Sequence, residues 1–170
     1  GSKFSFRTAE DYYALGLWLA DGYWRSSSVG LTSVDSRLIE RFVRFLQRVA
    51  PRHPLKRRIY PLDGRGKRKH VATQVYVNSR ALTRVFTATK TGVLSVPSHN
   101  IPAYLAGRID GDGHVDTKHR SGIRIAYGNA FDAQRDRWLF GAANVSLYRY
   151  SAARTIVLYL RKHYRERIEP

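Results

Sequence analysis

The 170-residue chain contains no cysteine, which excludes disulfide bridges and thiolate zinc sites. Acidic residues are also scarce: 13 of them face 30 lysines and arginines, which leaves a formal net charge of +17. The sequence contains no apolar run long enough to span a bilayer and no evident signal peptide. We therefore expect a cytoplasmic protein without a membrane partner.

The excess of positive charge predicts an anionic partner, most simply nucleic acid. Hydrophobic residues make up 43% of the chain and aromatic residues 12%, which is enough to build a core. At this length the chain accommodates one compact domain or two small fused ones. The composition thus favours a folded nucleic-acid-binding protein over a disordered one.

A short apolar segment that ends in Asp-Gly occurs twice. The first copy, YALGLWLADG, covers residues 13–22, and the second, YLAGRIDGDG, covers residues 104–113. Their central glycines and their second-last aspartates are each 91 residues apart. Because this spacing is about half the chain, the sequence predicts two copies of one structural unit.

Each segment predicts a buried helix with a glycine in its middle. A mid-helix glycine costs about 1 kcal/mol relative to alanine, so its recurrence needs a reason in packing. Without a side chain, Gly16 and Gly107 allow another backbone to come close, and we expect the two helices to pack against each other. Gly22 and Gly113 are expected to end the helices as left-handed caps.

These caps place Asp21 and Asp112 at the last helical position. A carboxylate is unfavourable there because the C-terminal end of a helix carries partial negative charge. Two such carboxylates near each other also repel, and a divalent cation such as Mg²⁺, which takes oxygen ligands, resolves both problems. The alternative is that each Asp-Gly is an ordinary helix end, which the repetition disfavours.

The second segment resembles the LAGLIDADG signature of homing endonucleases over residues 105–113, and the first resembles a looser copy over residues 14–22. The resemblance covers nearly the whole chain and implies a monomer with one motif in each half. In that family the penultimate acidic residue binds the catalytic metal, and it corresponds to Asp21 and Asp112. The predicted metal site also includes Ala20 and Gly111.

The first motif departs from the signature at two places. Ala14 and Leu15 are inverted, and Leu19 stands where the second motif has Asp110. Because Asp110 has no counterpart, we expect it to be a local group rather than a metal ligand.

The rest of the chain predicts the same order of elements twice. We expect an α+β protein of two pseudo-symmetric αββαββ(α) halves, each with a four-stranded antiparallel sheet, packed through the two motif helices. The halves are predicted at residues 1–90 and 101–170, joined by a linker at 91–100, with the third helix of the second half shortened or missing. Trp18 and Trp138 are expected in the core.

One face of each sheet is predicted to be free and basic, as in a β-ribbon that enters the major groove. The resemblance agrees, since it implies two sheets that form a saddle over double-stranded DNA. The residues predicted to contact DNA are Arg25, Ser33, Lys56, Arg58, Arg65, Lys67, Arg68, Lys69, Lys118, Arg120, Arg124, Tyr127, Arg149, Arg154 and Arg161.

Members of the family also place a basic residue near the metal and a polar residue at the end of the second strand. The basic candidates for a catalytic role are Arg80 in the first half and Lys162 or Arg161 in the second. The polar candidates are Ser33 in the first half and Tyr127 or Asn129 in the second. A zinc site around residues 114–119 is disfavoured, because the two histidines and one aspartate there lack further ligands.

The residues and the resemblance together predict a site-specific homing endonuclease that makes double-strand breaks by metal-dependent phosphodiester hydrolysis. The expected cofactor is Mg²⁺, with Mn²⁺ as an alternative and Ca²⁺ as a non-productive substitute. Two alternatives of the same fold stay open: an RNA splicing maturase, with its own intron RNA as a partner, and a non-cleaving DNA-binding protein. A ribosome-associated protein would explain the charge but not the paired motifs. Without an evident protein-splicing segment, an intron-encoded enzyme is favoured over an intein.

Overall fold

The computed structural model describes residues 3–62, 70–92, 94–116, 122–128, 130–142, 147–152 and 156–161. The chain divides into two compact units, one formed by residues 1–6 and 21–92 and the other by residues 7–20 and 93–170. Within the described part of the chain, none of the helices is both long enough and apolar enough to cross a membrane.

The first helix, α1 (Ala9–Asp21), begins with reciprocal capping. The Asp11 carboxylate accepts hydrogen bonds from the backbone N–H groups of Arg7 at 2.8 Å and Thr8 at 2.9 Å. The Thr8 hydroxyl in turn accepts one from the Asp11 N–H at 3.1 Å, as in a capping box. Residues 11–18 are all buried, Trp18 among them, so α1 is a core helix as predicted.

The first unit contains one antiparallel sheet and two further helices. Its elements are β1 (Gly22–Arg25), β2 (Ser28–Ser33), α2 (Ser36–Val49), β3 (Lys56–Leu62), β4 (His70–Asn78) and α3 (Arg80–Thr91). The strands lie in the order β1-β2-β4-β3. Since β4 lies between β2 and β3, the long segment between β2 and β3 carries α2 across one face of the sheet.

Aromatic side chains fill the core of the first unit between α2 and α3. The N-terminal segment contributes Phe4 and Phe6, whose rings lie 6.0 Å from Phe45 and 5.1 Å from Phe86, respectively. Such edge-to-face pairs are stabilising beyond their buried area. On the sheet side, this core is formed by Leu31 and by the other buried strand residues that point to the same face of the sheet.

The second unit repeats this architecture. After a short 3₁₀ turn at Ser98–Asn100 come α4 (Ile101–Asp112), β5 (Gly113–Asp116), β6 (Gly122–Tyr127), α5 (Ala130–Ala142), β7 (Leu147–Ala152) and β8 (Ile156–Arg161). The strands lie in the order β5-β6-β8-β7, which matches the first sheet strand for strand. The predicted α+β fold with two related four-stranded antiparallel sheets is therefore confirmed.

Equivalent positions in the two units follow from the element bounds. The motif helices and the strands β1 and β5 are offset by 91 residues, whereas β2 and β6, and α2 and α5, are offset by 94. The change in offset arises from the longer segment between β5 and β6. The third helix of the first half is confirmed as α3, while residues 162–170, where its counterpart would lie, are outside the described residues.

Two local predictions are wrong. No described glycine has a positive φ, and Gly113 has φ −73° and ψ 140°, so the motif helices do not end in left-handed caps. Each runs directly into a strand, which requires extended backbone at that glycine. Trp138 is 70% exposed, because the inner face of α5 is formed by its neighbours Leu139 and Phe140 and by positions one turn earlier.

Candidate metal centre and nucleic-acid interface

The two motif helices approach within backbone contact at their central glycines. A Cβ added to Gly16 would overlap the carbonyl oxygen of Tyr104, and one added to Gly107 would overlap the carbonyl oxygen of Tyr13. Tyr13 and Tyr104 occupy matching motif positions, so the same glycine-to-carbonyl contact occurs twice, once from each motif. The close packing predicted from the glycines is confirmed, because no residue with a side chain fits here without moving a backbone.

The approach continues to the ends of the two helices. A Cβ at Gly111 would overlap the methyl group of Ala20, so these two residues are in contact. They directly precede Asp21 and Asp112, which are the last residues of α1 and α4, as predicted. One carboxylate thus stands where α1 joins β1, and another stands where α4 joins β5.

Asp112 is a partly exposed carboxylate whose charge is only partly compensated. Its side chain is 28% exposed, and its Oδ2 lies 3.7 Å from Nη2 of Arg108 one helical turn earlier, which is too far for a hydrogen bond. Burial raises the pKa of the Asp112 carboxyl above its ordinary value, the Arg108 guanidinium lowers it in part, and Asp136 raises it. The site therefore favours an added positive charge.

The donor chemistry of this site fits a divalent cation that prefers oxygen ligands. Each helix-end aspartate offers carboxylate oxygens, and the backbone carbonyl of the residue before it is also an oxygen donor. Among the described residues no cluster of three or more His, Cys, Asp or Glu side chains is placed to hold a metal. Backbone, water and substrate oxygens would therefore complete the coordination.

A buried polar cluster, hereafter the Asp136 network, lies next to Asp112. The Asp136 carboxylate is fully buried and accepts hydrogen bonds from the hydroxyls of Tyr104 and Tyr127, both at 2.6 Å, and from Nε of Arg108 at 2.9 Å. Burial, reinforced by Asp136, raises the pKa of both tyrosines, so each hydroxyl stays protonated and donates a hydrogen bond to the carboxylate. Sequence reasoning missed this network, although a charged residue at position 108 of an apolar helix was a signal for it.

The network corrects the prediction that Tyr127 contacts DNA. Its side chain is 2% exposed, and the Arg108 guanidinium lies 4.8 Å from the centre of its ring. Alternation along β6 explains this position, because Tyr127 shares the inner face with the buried Ile125. Tyr127 belongs to the core, not to the surface.

The two first-half candidates differ in how their places compare with the prediction. Ser33 is the last residue of β2, as predicted for the polar residue. The Ser33 hydroxyl accepts a hydrogen bond from the Asp35 N–H at 3.0 Å, which orders the turn into α2. Arg80 begins α3 and lines a groove with Trp24 and Ser27 at the β1–β2 turn. That turn is at the end of β1 opposite to Asp21, roughly 13 Å along the strand, so Arg80 does not lie beside the carboxylate.

The sheet face that α2 leaves uncovered in the first unit, hereafter the open face, is aromatic and basic. Alternation from the strand register places there Tyr23, Arg25, Thr32, Lys56, Arg58, Tyr60, Gln74 and Tyr76. The Arg58 guanidinium lies 5.5 Å from the centre of the Tyr76 ring. Arg57 lies on the opposite face, with its guanidinium 3.0 Å from Glu40 of α2. The structure therefore brings together Arg25, Lys56 and Arg58 on one exposed surface.

A polar chain on the open face was not predicted. Gln74, which is 6% exposed, donates from Nε2 to the Thr32 hydroxyl at 3.0 Å and accepts from the Tyr60 hydroxyl at 3.4 Å. Gly22, the first residue of β1, pairs with Leu31, and the next residue, Thr32, pairs with Gln74. The Thr32–Gln74 pair therefore lies at the end of β1 that follows Asp21. Polar groups thus lie on the sheet near the Asp21 end.

The second sheet is described at the level of its backbone. Arg124 pairs with His114 and Tyr159, and Tyr159 pairs with Arg149, so these four positions form one cross-strand row. The matching row of the first sheet is Tyr23, Gly30, Tyr76 and Lys56. Arg161 pairs with Gly122. The predicted residues outside the described part of the chain are Arg65, Lys67, Arg68, Lys69, Lys118, Arg120, Asn129, Arg154 and Lys162.

Comparison with known sequences finds the motif in the first half. Residues 10–89 match the LAGLIDADG-like domain model. A stretch of 45 residues is 51% identical to a subunit of the A-type ATP synthase of Methanopyrus kandleri, and it covers 25% of this chain. The chain spans only 4% of the length of that protein.

Comparison with solved structures covers nearly the whole chain. Mesophilic variants of the homing endonuclease I-DmoI align with a TM-score of 0.66 and 18% identity over 94% of this chain and 92% of theirs. I-DmoI in complex with DNA and Mn aligns with a TM-score of 0.61 and 17% identity over 94% and 93% of the two chains. Full-length DUF199/WhiA from Thermatoga maritima aligns with a TM-score of 0.66 and 12% identity over 97% and 55%. These likenesses show the fold.

Proposed function

We propose that this protein, a member of the LAGLIDADG family, is a divalent-metal-dependent endonuclease that cuts both strands of a specific double-stranded DNA site. The observation that carries the proposal is the helix crossing. Matched glycines bring the two motif helices into backbone contact, and Ala20 meets Gly111 directly before the two terminal aspartates. A fold shared with I-DmoI supports the assignment.

Asp21 and Asp112 are each proposed as a metal ligand, and the residues that precede them, Ala20 and Gly111, are each proposed to add a backbone oxygen. When bound, a divalent ion lowers the pKa of a water molecule and stabilises charge on the leaving oxygen. Mg²⁺ is the proposed cofactor and Mn²⁺ an alternative. Solved I-DmoI complexes contain DNA with Mn or with Ca, which supports the use of a divalent ion.

The open face of the first sheet is proposed to bind the duplex. Lys56 and Arg58 are exposed there, and the net charge of +17 favours association with a polyanion. In the second sheet, the row that includes Arg124 and Arg149 is the proposed counterpart. Because one chain carries both motifs, we propose that it acts as a monomer.

The structure also changes which residues are proposed to assist the chemistry. Arg80 is no longer a candidate, because it lies at the far end of β1 from Asp21. The hydrogen-bonded chain of Thr32, Gln74 and Tyr60 is proposed instead to bind water or phosphate oxygens on the Asp21 side. Arg161 is excluded for the same reason as Arg80, because it pairs with Gly122, which pairs with Asp116 at the end of β5 opposite to Asp112. Lys162 stays a proposal for the second half.

The test is cleavage of a randomised duplex library in Mg²⁺, with sequencing of the cut ends. Asp21→Asn and Asp112→Asn should each abolish double-strand cutting, while the dissociation constant for the selected duplex in Ca²⁺ changes by less than about tenfold, since carboxylates do not dock phosphates.

Asp35→Asn is the matched control. It removes one exposed carboxylate, keeps an N-cap oxygen for α2, and should leave cutting unchanged. Full cutting by a folded Asp21 or Asp112 variant would overturn the metal assignment. Duplex binding without cutting by the unaltered protein would support a non-cleaving DNA-binding protein, and a preference for RNA would support a maturase.

A further inference from the structure

A groove of the first unit, hereafter the α3 groove, lies between the β1–β2 turn and α3. It encloses about 510 Å³ and is lined by Trp24 and the two serines of the turn and, from α3, by Arg80, Arg84 and two threonines. This volume is within the range of ligand-binding pockets. Trp24 pairs with Val29, which is fully buried against the helices, so the α3 groove is on the side of the sheet opposite to the open face.

Hydrogen bonds join the two walls of the α3 groove. The Ser79 N–H donates to the Ser27 carbonyl oxygen at 2.7 Å, and the Ser79 hydroxyl accepts from the Leu82 N–H at 3.2 Å, which ties the turn to the first residues of α3. The hydroxyls of Thr83 and Thr87 each donate to a carbonyl oxygen of the preceding helical turn at 2.8 Å. These threonine donors are thus used within the helix, and the guanidinium groups are the strongest donors that line the groove.

Two arginines give the α3 groove an excess of positive charge. Arg80 and Arg84 are exposed and one helical turn apart, and neither forms an ion pair with a described residue. The described acidic residues of the first unit are engaged elsewhere: Asp35 and Glu40 pair with other arginines, and Asp21 lies at the opposite end of β1. Two neighbouring guanidinium groups without a carboxylate partner favour an anionic ligand such as a phosphate group.

An exposed aromatic ring lies in the same groove. Trp24 is 49% exposed, and Nζ of Lys90 lies over its ring, 5.1 Å from the centre. The repeated architecture does not require a tryptophan here, because the matching position of β5, 91 residues later, is Val115. An accessible indole next to cationic side chains provides a surface on which a planar base can stack.

We propose that the α3 groove binds single-stranded nucleic acid, with an unpaired base stacked on Trp24 and neighbouring phosphates bound by Arg80 and Arg84. An aromatic ring combined with a basic groove is the arrangement that binds single strands without sequence preference. A duplex suits the groove less well, because its base faces are covered by the stack. The site differs from the open face in both residues and ligand, and it depends on neither metal binding nor strand cutting.

The test measures, by fluorescence anisotropy, the binding of labelled single strands of about eight nucleotides to the full chain, with DNA and RNA of the same sequence. Trp24→Val installs the residue of the second half and should raise the dissociation constant roughly tenfold, because one base loses its stacking partner. The control is Trp138→Val, at a tryptophan of α5 that is 70% exposed, and it should leave the dissociation constant unchanged. The unlabelled single strand should also quench tryptophan fluorescence, and Trp24→Val should remove that quenching.

The arginines are tested through the salt dependence of binding. Arg80→Gln with Arg84→Gln should flatten the log–log slope of single-strand binding by about 1.4, or 0.7 for each phosphate that is no longer neutralised. Both positions are exposed on α3, so this variant tests the proposal even where Trp24→Val fails to fold. The matched control is Arg44→Gln with Arg48→Gln, which are exposed at the same spacing on α2 and should leave the slope unchanged.

Weaker single-strand binding in the groove variants, with duplex binding in Ca²⁺ unchanged, would support the inference, and the ratio of the DNA and RNA affinities would then identify the preferred sugar. Unchanged single-strand binding in a folded Trp24 or arginine variant would overturn it. An equal loss of duplex binding would also overturn it, because the groove would then hold duplex phosphates. A protein that binds single strands in this way but does not cut DNA would support the inference and overturn only the endonuclease activity.

Discussion

Gly16 and Gly107 occupy the two sides of one helix crossing, each directly against a backbone carbonyl oxygen of the other helix, that of Tyr104 for Gly16 and that of Tyr13 for Gly107. The reciprocity shows that the two glycines are one structural feature repeated by the internal symmetry of the chain. It also explains why a residue of low helix propensity stands in the middle of two core helices.

Alanine at this crossing should destabilise the fold. Gly107→Ala is expected to lower the free energy of unfolding by about 1–3 kcal/mol, because the methyl group must displace a backbone. The matched control is Gly141→Ala on α5, where an added Cβ meets nothing within 4 Å and the gain in helix propensity is up to about 1 kcal/mol. Urea unfolding followed by circular dichroism measures both, and similar effects at the two sites would contradict the close approach.

The ionised Asp112 carboxylate should lower the free energy of unfolding. Its pKa is raised in the folded protein, so the folded state binds its proton more tightly than the unfolded chain does. Ionised Asp112 therefore destabilises the fold above the folded-state pKa, and this penalty disappears as the pH falls below the unfolded value.

Asp112→Asn is consequently expected to raise the melting temperature near pH 7, with a gain that shrinks toward zero as the pH approaches about 3. Asp35→Asn, at an exposed N-cap, provides the comparison: the pKa of Asp35 is lowered by hydrogen bonds from Arg37, so its loss should not stabilise. A melting temperature for Asp112→Asn below that of the unaltered protein at pH 7 would contradict the burial argument.

The buried pair Arg108–Asp136 should be strongly coupled. Arg108→Leu alone is expected to cost about 3–5 kcal/mol, because it removes the nearer of two guanidinium groups from a fully buried carboxylate and leaves only Arg135, whose Nε lies 3.4 Å from Asp136. Adding Asp136→Phe should recover much of that loss. The exposed pair Arg57–Glu40, with side chains 42% and 52% exposed, is the control, and its coupling should stay within about 1 kcal/mol. Double-mutant cycles in urea test both, and additive losses at the buried pair would exclude the expected coupling.

DNA affinity should depend on the open face rather than on total charge. Replacing Lys56 and Arg58 with alanine is expected to flatten the log–log salt dependence of duplex binding by about 1.8, or 0.9 for each phosphate that is no longer neutralised. The charge-matched control replaces Arg37 and Arg44, which are exposed on α2, behind the sheet. Binding is measured in Ca²⁺ at several salt concentrations, and an equal change of slope in both variants would show that the open face does not bind the duplex.

Several features of the fold were accessible from local sequence. The 91-residue repeat, the apolar periodicity of the helices and the alternation of the strands predicted the element order and the two sheets. The mid-helix glycines predicted the crossing, and the Asp-Gly pairs predicted that Asp21 and Asp112 end their helices. These predictions rest on side-chain periodicity and backbone preference, which act between residues close in the chain.

Other features depend on contacts between distant residues. Tyr127 was predicted on a surface but hydrogen-bonds to Asp136, and Arg80 was predicted beside the metal but lies at the β1–β2 turn. Trp138 was predicted in the core but faces outward. In each case the residue type suits either environment, and only the packed partner decides between them.

By itself, the sequence determined the two-fold repeat, the order of helices and strands, and the placement of one carboxylate at each helix end, because side-chain periodicity and turn preference act between residues close in the chain. Tertiary structure alone decided that Arg108 is held by Asp136 beside Asp112, and that Thr32, Gln74 and Tyr60 meet on the open face. Those groups come from separate helices and strands, and the free energy of burying a polar group depends on which partner the fold brings to it.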